Sequence, residues 1–291
     1  MEEFAVKPDP ADKRLTRRVQ GWDQDGAPVE ASIVVERPLT LFLNGQEIVT
    51  MMTIGDHPDW LAIGYLLNQH MLRAGDELIG VDHDDETGTV VVRTRARTDF
   101  EEKLRKKTLT SGCAQGTVFG DLMERFDEVR LPADARIRTS WLYRLLRKIN
   151  GAPSLYLEAG AIHGCALCHQ DRVLAYVEDV GRHNAIDKLA GYMFVNALPG
   201  GDKIFYTTGR LTSEMVIKCV QMGIPVLVSR SGFTAWGVEL ARQAGLTLIG
   251  RARGARFLVL SGQERVERDA DARSVVEEDR RAGRKGARED D

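Results

Sequence analysis

Cys113 stands in the run Thr108-Leu-Thr-Ser-Gly-Cys-Ala-Gln-Gly116, just after Lys103, Arg105, Lys106 and Lys107. Its small residues and two glycines predict an exposed loop, and the nearby positive charge favours thiolate over thiol. Such a thiolate can accept a group from one partner and pass it to another. An ordinary loop cysteine beside a solvated charge run fits the same residues. Cys165-Ala-Leu-Cys168 is the C-x-x-C pair, bracketed by His163 and His169, a pattern open to zinc or redox chemistry. The apolar run Ala161 to Leu167 predicts a strand, whose side chains alternate faces, so the two thiols should point to opposite sides as core residues and not share a metal. Cys219, in the helical pattern of Met215, Val216 and Val220, is expected in the core.

Three turns carry residues suited to anions. Tyr176-Val-Glu-Asp-Val-Gly-Arg-His-Asn-Ala185 follows a strand and opens a helix, with Asp179 a cap, Gly181 permitting a close turn, and Arg182 and His183 at the helix start. Thr207-Thr-Gly-Arg-Leu-Thr-Ser-Glu214 repeats the device, gathering Thr208, Gly209, Arg210 and Ser213. Ser229-Arg-Ser-Gly-Phe-Thr234 is a third turn that could line the same crevice outside the strand ends. Free backbone N–H groups at such junctions suit phosphate or pyrophosphate. A structural cap explains each turn alone equally well, and none has the Walker or Rossmann glycine spacing. Arg251, Ala252, Arg253, Gly254, Ala255 and Arg256 put three guanidinium groups between two strands, where they suit phosphate or guanine. A solvated basic hairpin is the alternative there.

Elements that position these residues follow from periodicity. Runs 39–43 and 46–53 flank Asn44-Gly45, a tight-hairpin signal. Pro58 opens a helix whose Trp60, Ile63, Leu67 and Met71 share one face. Strands are expected at 77–81 and 89–94, a helix at 141–149, then strands at 154–158, 162–168, 173–177, 203–207, 224–229, 246–250 and 256–260. Helices near 182–195, 212–222 and 235–244 separate the later ones, which predicts an α/β sheet covered on both faces. The expected division is a mobile tail over 1–28, a small α+β domain over 29–130 carrying the cysteine loop near 108–116, a second domain over 131–262 and a charged tail over 263–291.

The chain's 291 residues suffice for one large core or two modest ones. Its 40 basic and 43 acidic residues nearly cancel, which argues against a surface built for bulk nucleic acid or anionic membrane. Any anion site must therefore be local. Met1 to Gln20 lacks the apolar core of a secretory signal, no segment is apolar enough to span a bilayer, and four cysteines suit a reducing compartment, so a cytoplasmic location is expected.

The strings Glu178-Asp-Val-Gly-Arg-His-Asn-Ala-Ile-Asp-Lys188 and Thr208-Gly-Arg-Leu-Thr-Ser-Glu-Met-Val216, with Gly223-Ile-Pro-Val-Leu227 and Ala244-Gly-Leu-Thr-Leu-Ile-Gly250, resemble the formate dehydrogenase accessory sulfurtransferases called FdhD. The resemblance runs over roughly positions 30 to 260. It implies a cytidine-deaminase-like layered α/β C-terminal domain, a smaller α+β N-terminal domain and a homodimer. It also implies a reaction. A cysteine desulfurase hands sulfur to Cys113 as a persulfide, and the sulfur passes to the molybdenum or tungsten of a bis-guanine-dinucleotide cofactor that formate dehydrogenase needs. GDP would mimic part of that cofactor, and 251–256 corresponds to the family's cofactor segment. Gly116 stands where many members carry a second cysteine, and Arg251 where an aromatic residue is common. A cofactor-binding chaperone without sulfur transfer is one alternative. A zinc-dependent deaminase-like hydrolase is another, but its H-x-E and P-C-x-x-C elements are missing from the helix starts at 183 and 210.

Overall fold

The computed structural model describes residues 4, 6–73, 75–95, 108–110, 113–117, 126 and 128–277. The first strand and the turn after it lie where a tail was expected. Strand β1 (Thr16–Trp22) pairs antiparallel with β2 (Pro28–Val34), joined through a turn at Asp23–Ala27. Leu15, just before β1, is buried with Ile54, Leu155 and Ile162. This small apolar anchor, with backbone bonds across the ribbon, outweighs the charged composition from which mobility was inferred.

Strands β3 (Arg37–Leu43) and β4 (Gln46–Thr53) form the expected hairpin, with Asn44 at φ 54° in its turn. They belong to a four-stranded sheet in the order β4-β3-β6-β5, where β5 is Leu78–Asp84 and β6 is Thr89–Thr94. Helix α1 (Pro58–Asn68) lies on this sheet, burying Leu61, Ile63 and Leu66 with Leu41, Val90 and Val92. Short strands β7 (Thr108–Thr110) and β8 (Cys113–Thr117) pair antiparallel, so the described backbone of the expected cysteine loop is a small ribbon. The Cys113 side chain and the charged run 99–107 lie outside the described residues.

After β9 (Ile137–Arg138) comes α2 (Thr139–Gly151) and then α3 (Leu155–Ala159). Residues 154–158 were expected as a strand. Instead the Ser154 hydroxyl accepts from Leu157 N, and the buried Glu178 carboxylate accepts from the Leu155 and Tyr156 amides at 2.8 and 3.2 Å. Satisfying those first-turn amides selects the helix.

The main sheet has the order β11-β10-β12-β13-β14-β15, comprising β10 (His163–His169), β11 (Arg172–Asp179), β12 (Ile204–Thr207), β13 (Val226–Ser229), β14 (Thr247–Arg253) and β15 (Arg256–Ser261). β12, β13 and β14 are parallel, and the outer pairings are antiparallel. Helices α4 (Arg182–Val195), α5 (Ser213–Gln221) and α6 (Ala235–Gln243) cover one face through Ile186, Leu189, Ile217 and Leu240. Leu142, Leu145 and Leu146 of α2 cover the other. The fold is thus mixed α/β with the sheet between helical layers. Val6 bridges Ala175 at the β11 edge, and β16 (Val266–Glu267) pairs with β9. Asp269 accepts from Ser140 N at 2.9 Å at the start of α2, so the expected charged tail from 263 is folded at least that far.

Helices α1 and α4 cross at close range. An added Cβ at Gly64 would stand 1.7 Å from Asp187 O, and one at Gly191 would stand 2.0 Å from Trp60 O. Only hydrogen at both positions lets the two backbones meet, which locks the small sheet's helix onto the large sheet's helix.

Candidate functional site

The large sheet brings the three sequence-read turns to one edge. β12 ends at Thr207, β13 at Ser229 and β11 at Asp179, while β10 begins there at His163 and the β14–β15 hairpin turns there. Backbone bonds zip the turns side by side: Leu211 N donates to Gly232 O at 2.9 Å, and Arg251 N to Ser231 O at 2.7 Å. Ser229 is fully buried, and its hydroxyl donates to Gly209 O at 2.6 Å and accepts from Ser231 N at 2.9 Å. It is scaffold between turns, not a group open to a ligand.

The expected free amides are largely engaged. Thr208 N donates to Gly164 O at 2.9 Å, and Gly209 N donates to the Thr207 hydroxyl at 3.1 Å. These two amides are therefore not open to a ligand. Ser213 is half-buried at the first position of α5, and Arg210 is exposed. Gly181 caps α4 through its backbone alone. An added Cβ at Gly209 would stand 3.0 Å from Arg182 Cδ, so the Arg182 stem lies across this glycine.

Two histidines face this cationic group. His163 Nδ1 lies 3.3 Å from the Thr208 hydroxyl, and burial, then Arg182, His183 and Arg210, push its pKa below the ordinary imidazole value. His183 Nε2 lies 3.2 Å from Glu214 Oε2, yet burial outweighs that carboxylate and lowers its pKa too. Both imidazoles are held toward neutrality where a bound anion would favour protonation.

Beyond Ser229 opens a cleft of about 820 Å³ lined by Arg230, Ser231, Arg251, Arg253, Arg256 and Phe257. No carboxylate lines it among the described residues. Arg251 takes φ 52°, a left-handed conformation costly for a residue with a side chain. Ala255 lines the same cleft, whereas Gly254 lines a different, largely apolar hollow beside α2. Ala252 is a correction: its side chain is fully buried with Ile249 and Val266, so its methyl belongs to the core.

The first signature string divides by burial. The Arg182 stem lies across Gly209 and His183 faces Glu214, whereas the string's carboxylates and lysine are scaffold. Lys188 reaches Asp179 at 2.5 Å and pairs with Asp56, while Asp179 accepts from the Thr53 hydroxyl at 2.6 Å. Asp187 accepts from Asn68 at 2.6 Å and from Lys218 at 2.7 Å. These buried contacts join α1 and β4 to the large sheet.

Cys165 and Cys168 lie on opposite faces of β10. Cys165 packs with Leu167 and Ile217, and Cys168 with Ala166 and Leu142. A bulge interrupts the ladder to β11, but pairing with β12 runs unbroken from Cys165 to Cys168, so alternation survives. Burial pushes the Cys165 thiol up to about 12 and raises Cys168 and Cys219 as well, leaving all three poor nucleophiles. Arg230 and Tyr156 were not singled out from sequence. The position of Arg230 immediately after an apolar strand, in a turn already noted, was the available signal.

The strand ends of a layered α/β sheet thus carry an arginine cleft that no carboxylate lines among the described residues. The chain belongs to the FdhD/NarQ family, whose model it matches over residues 34–267. It is 29% identical over 241 residues to the sulfur carrier protein FdhD of Listeria innocua, covering 82% of this chain and 92% of that protein. The sulfur carrier protein FdhD of Wolinella succinogenes is 30% identical over 245 residues, covering 83% and 84%. A crystal structure attributed to a formate dehydrogenase accessory protein from Desulfotalea psychrophila matches with a TM-score of 0.69 and 26% identity, covering 86% of this chain and 98% of that one. No helix of the described residues is long and apolar enough to cross a membrane.

Proposed function

We propose that the chain is a cytoplasmic sulfur carrier serving formate dehydrogenase, with Cys113 as carrier thiol and the strand-end crevice as cofactor cradle. The Cys113 thiolate attacks the outer sulfur of a cysteine desulfurase persulfide, the desulfurase thiolate leaves, and the outer sulfur becomes a persulfide on Cys113. The substrate that receives this sulfur is the molybdenum or tungsten of a bis-guanine-dinucleotide cofactor. The observation that carries this proposal is the carboxylate-free cleft of Arg230, Arg251, Arg253 and Arg256 in a chain of this family.

The cleft suits the ligand's charge. Arg251, Arg253 and Arg256 are exposed and can fork onto phosphate oxygens. Planar guanidinium donors also match the paired acceptors O6 and N7 of guanine, a pair adenine cannot present because the N6 amine beside its N7 is a donor. Thr208, Arg210, Arg182 and His183 extend the cationic rim toward β11. A cytidine-deaminase-like layering and a homodimer belong to the same proposal.

Mass spectrometry after incubation with a cysteine desulfurase and cysteine tests the carrier role. A one-sulfur adduct on Cys113 is expected, absent from Cys113→Ser, and that variant should fail to activate formate dehydrogenase. Activation by Cys113→Ser would favour a cofactor-binding chaperone instead. Calorimetric titration tests the cradle: GDP should bind more tightly than ADP, Arg210→Ala should weaken both, and Arg253→Ala or Arg256→Ala should erode the guanine preference.

A further inference from the structure

Tyr156 holds Arg230 by its flat face. The Arg230 guanidinium carbon lies 5.2 Å from the centre of the Tyr156 ring, and Arg230 is also a wall of the arginine cleft. Both partners are anchored from behind. The Tyr156 amide donates to the buried Glu178 carboxylate at 3.2 Å, which fixes α3 against β11. The Arg230 amide donates to Thr207 O at 3.4 Å, and the Arg230 carbonyl accepts from Arg253 Nε at 3.2 Å. A guanidinium is planar and weakly hydrated above and below its plane, so a ring on one face leaves the other suited to a second flat group.

We propose that Arg230, oriented by Tyr156, is a stacking platform for the purine base of the nucleotide taken into the arginine cleft. The proposal rests on the cleft being the nucleotide cradle and adds to it the group that receives the base plane. It divides labour within one site. Arg253 and Arg256 meet the base edge and the phosphates, whereas Arg230 meets the base plane, which every purine possesses. Tyr156 is a positioning residue, since it acts on the ligand only through Arg230. Tyr156 is 36% exposed, so the melts separate any loss of packing from the loss of positioning.

The test compares GDP with inorganic pyrophosphate by calorimetry on wild type, Arg230→Lys, Tyr156→Phe and Tyr156→Leu, with thermal melts to confirm folding. Lysine keeps the charge but has no flat face, so Arg230→Lys should weaken GDP roughly tenfold and pyrophosphate less than threefold. Tyr156→Leu should show the same selective loss to a smaller degree, and Tyr156→Phe should restore wild-type affinity because the ring face remains. The two losses should not add in the Tyr156→Leu/Arg230→Lys double variant. Equal loss of GDP and pyrophosphate in Arg230→Lys, or unchanged GDP affinity, overturns the platform while leaving an anion cleft standing. Wild type that binds neither ligand overturns the cradle itself and the platform with it.

Discussion

The Lys188 ammonium lies 2.5 Å from the Asp179 carboxylate, and neither residue is measurably exposed. Asp179 ends β11 and Lys188 sits in the second turn of α4, so the pair fixes the angle at which the helix leaves the sheet edge. Asp56 adds a second carboxylate from the loop before α1, and Glu178 O accepts from the same ammonium at 3.1 Å. The result is a four-way joint between the small sheet's helix and the crevice.

Removing one member of this joint strands a buried charge. Lys188→Met is expected to destabilise the protein by about 3–5 kcal/mol, read from urea unfolding. The carboxylates push the Lys188 pKa above its ordinary 10.5 against the opposing effect of burial. Its stabilising contribution is therefore fully present below pH 10.5 and is lost as pH rises through the elevated value. A Lys188→Met variant as stable as wild type would show that the joint contributes nothing net.

Gly64→Ala and Gly191→Ala test the helix crossing. Each added methyl meets backbone and not a movable side chain, so a cost of about 3 kcal/mol or more is expected despite alanine's better helix propensity. Unfolding midpoints that rise, as propensity alone would dictate, would contradict the observed approach of α1 to α4.

Thiol reactivity separates carrier from core. With Cys165 pushed up to about 12 and Cys168 and Cys219 also raised, alkylation of the native protein at pH 8 should modify Cys113 alone. Denaturation should expose the remaining thiols to the reagent. Cys165→Ala and Cys168→Ala should each cost about 1 kcal/mol or more and leave sulfur loading intact. Loss of loading in either variant at wild-type stability would place the carrier thiol elsewhere.

Anion binding at the proposed crevice is expected to be coupled to proton uptake at His163. Its folded pKa lies below the ordinary 6.5, so as pH falls through 6.5 the unfolded chain takes up a proton that the folded chain resists, and stability drops. A bound pyrophosphate opposes the field of Arg182 and Arg210, so affinity should increase between pH 7.5 and about 6 with fractional proton uptake. Titration in buffers of different ionisation enthalpy measures that uptake, and His163→Gln should reduce it. Identical uptake in the variant would mean that another group carries the proton.

Hydrophobic period and turn chemistry alone determined most of the elements: the Asn44-Gly45 hairpin, the helix after Pro58, the alternation of strands and helices beyond 162, and the opposite facing of Cys165 and Cys168. These are local properties, carried by spacings of two or about four residues that any neighbouring layer must respect. The three glycine-bearing turns and the arginine hairpin were legible as turns between strands and helices for the same reason. Tertiary structure decided the rest. Glu178, twenty-two residues from Tyr156 along the chain, turned an apparent strand at 154–158 into a helix by accepting its first amides. Leu15 and Asp269 help draw both charged ends into the fold through contacts with distant parts of the chain that composition cannot reveal. Within one signature string, burial made Asp179, Asp187 and Lys188 scaffold, while the Arg182 stem lies across Gly209 and His183 faces Glu214. Side-chain type names the charge a residue can carry, but only the packing around it settles whether that charge meets a partner inside the protein or a ligand outside it.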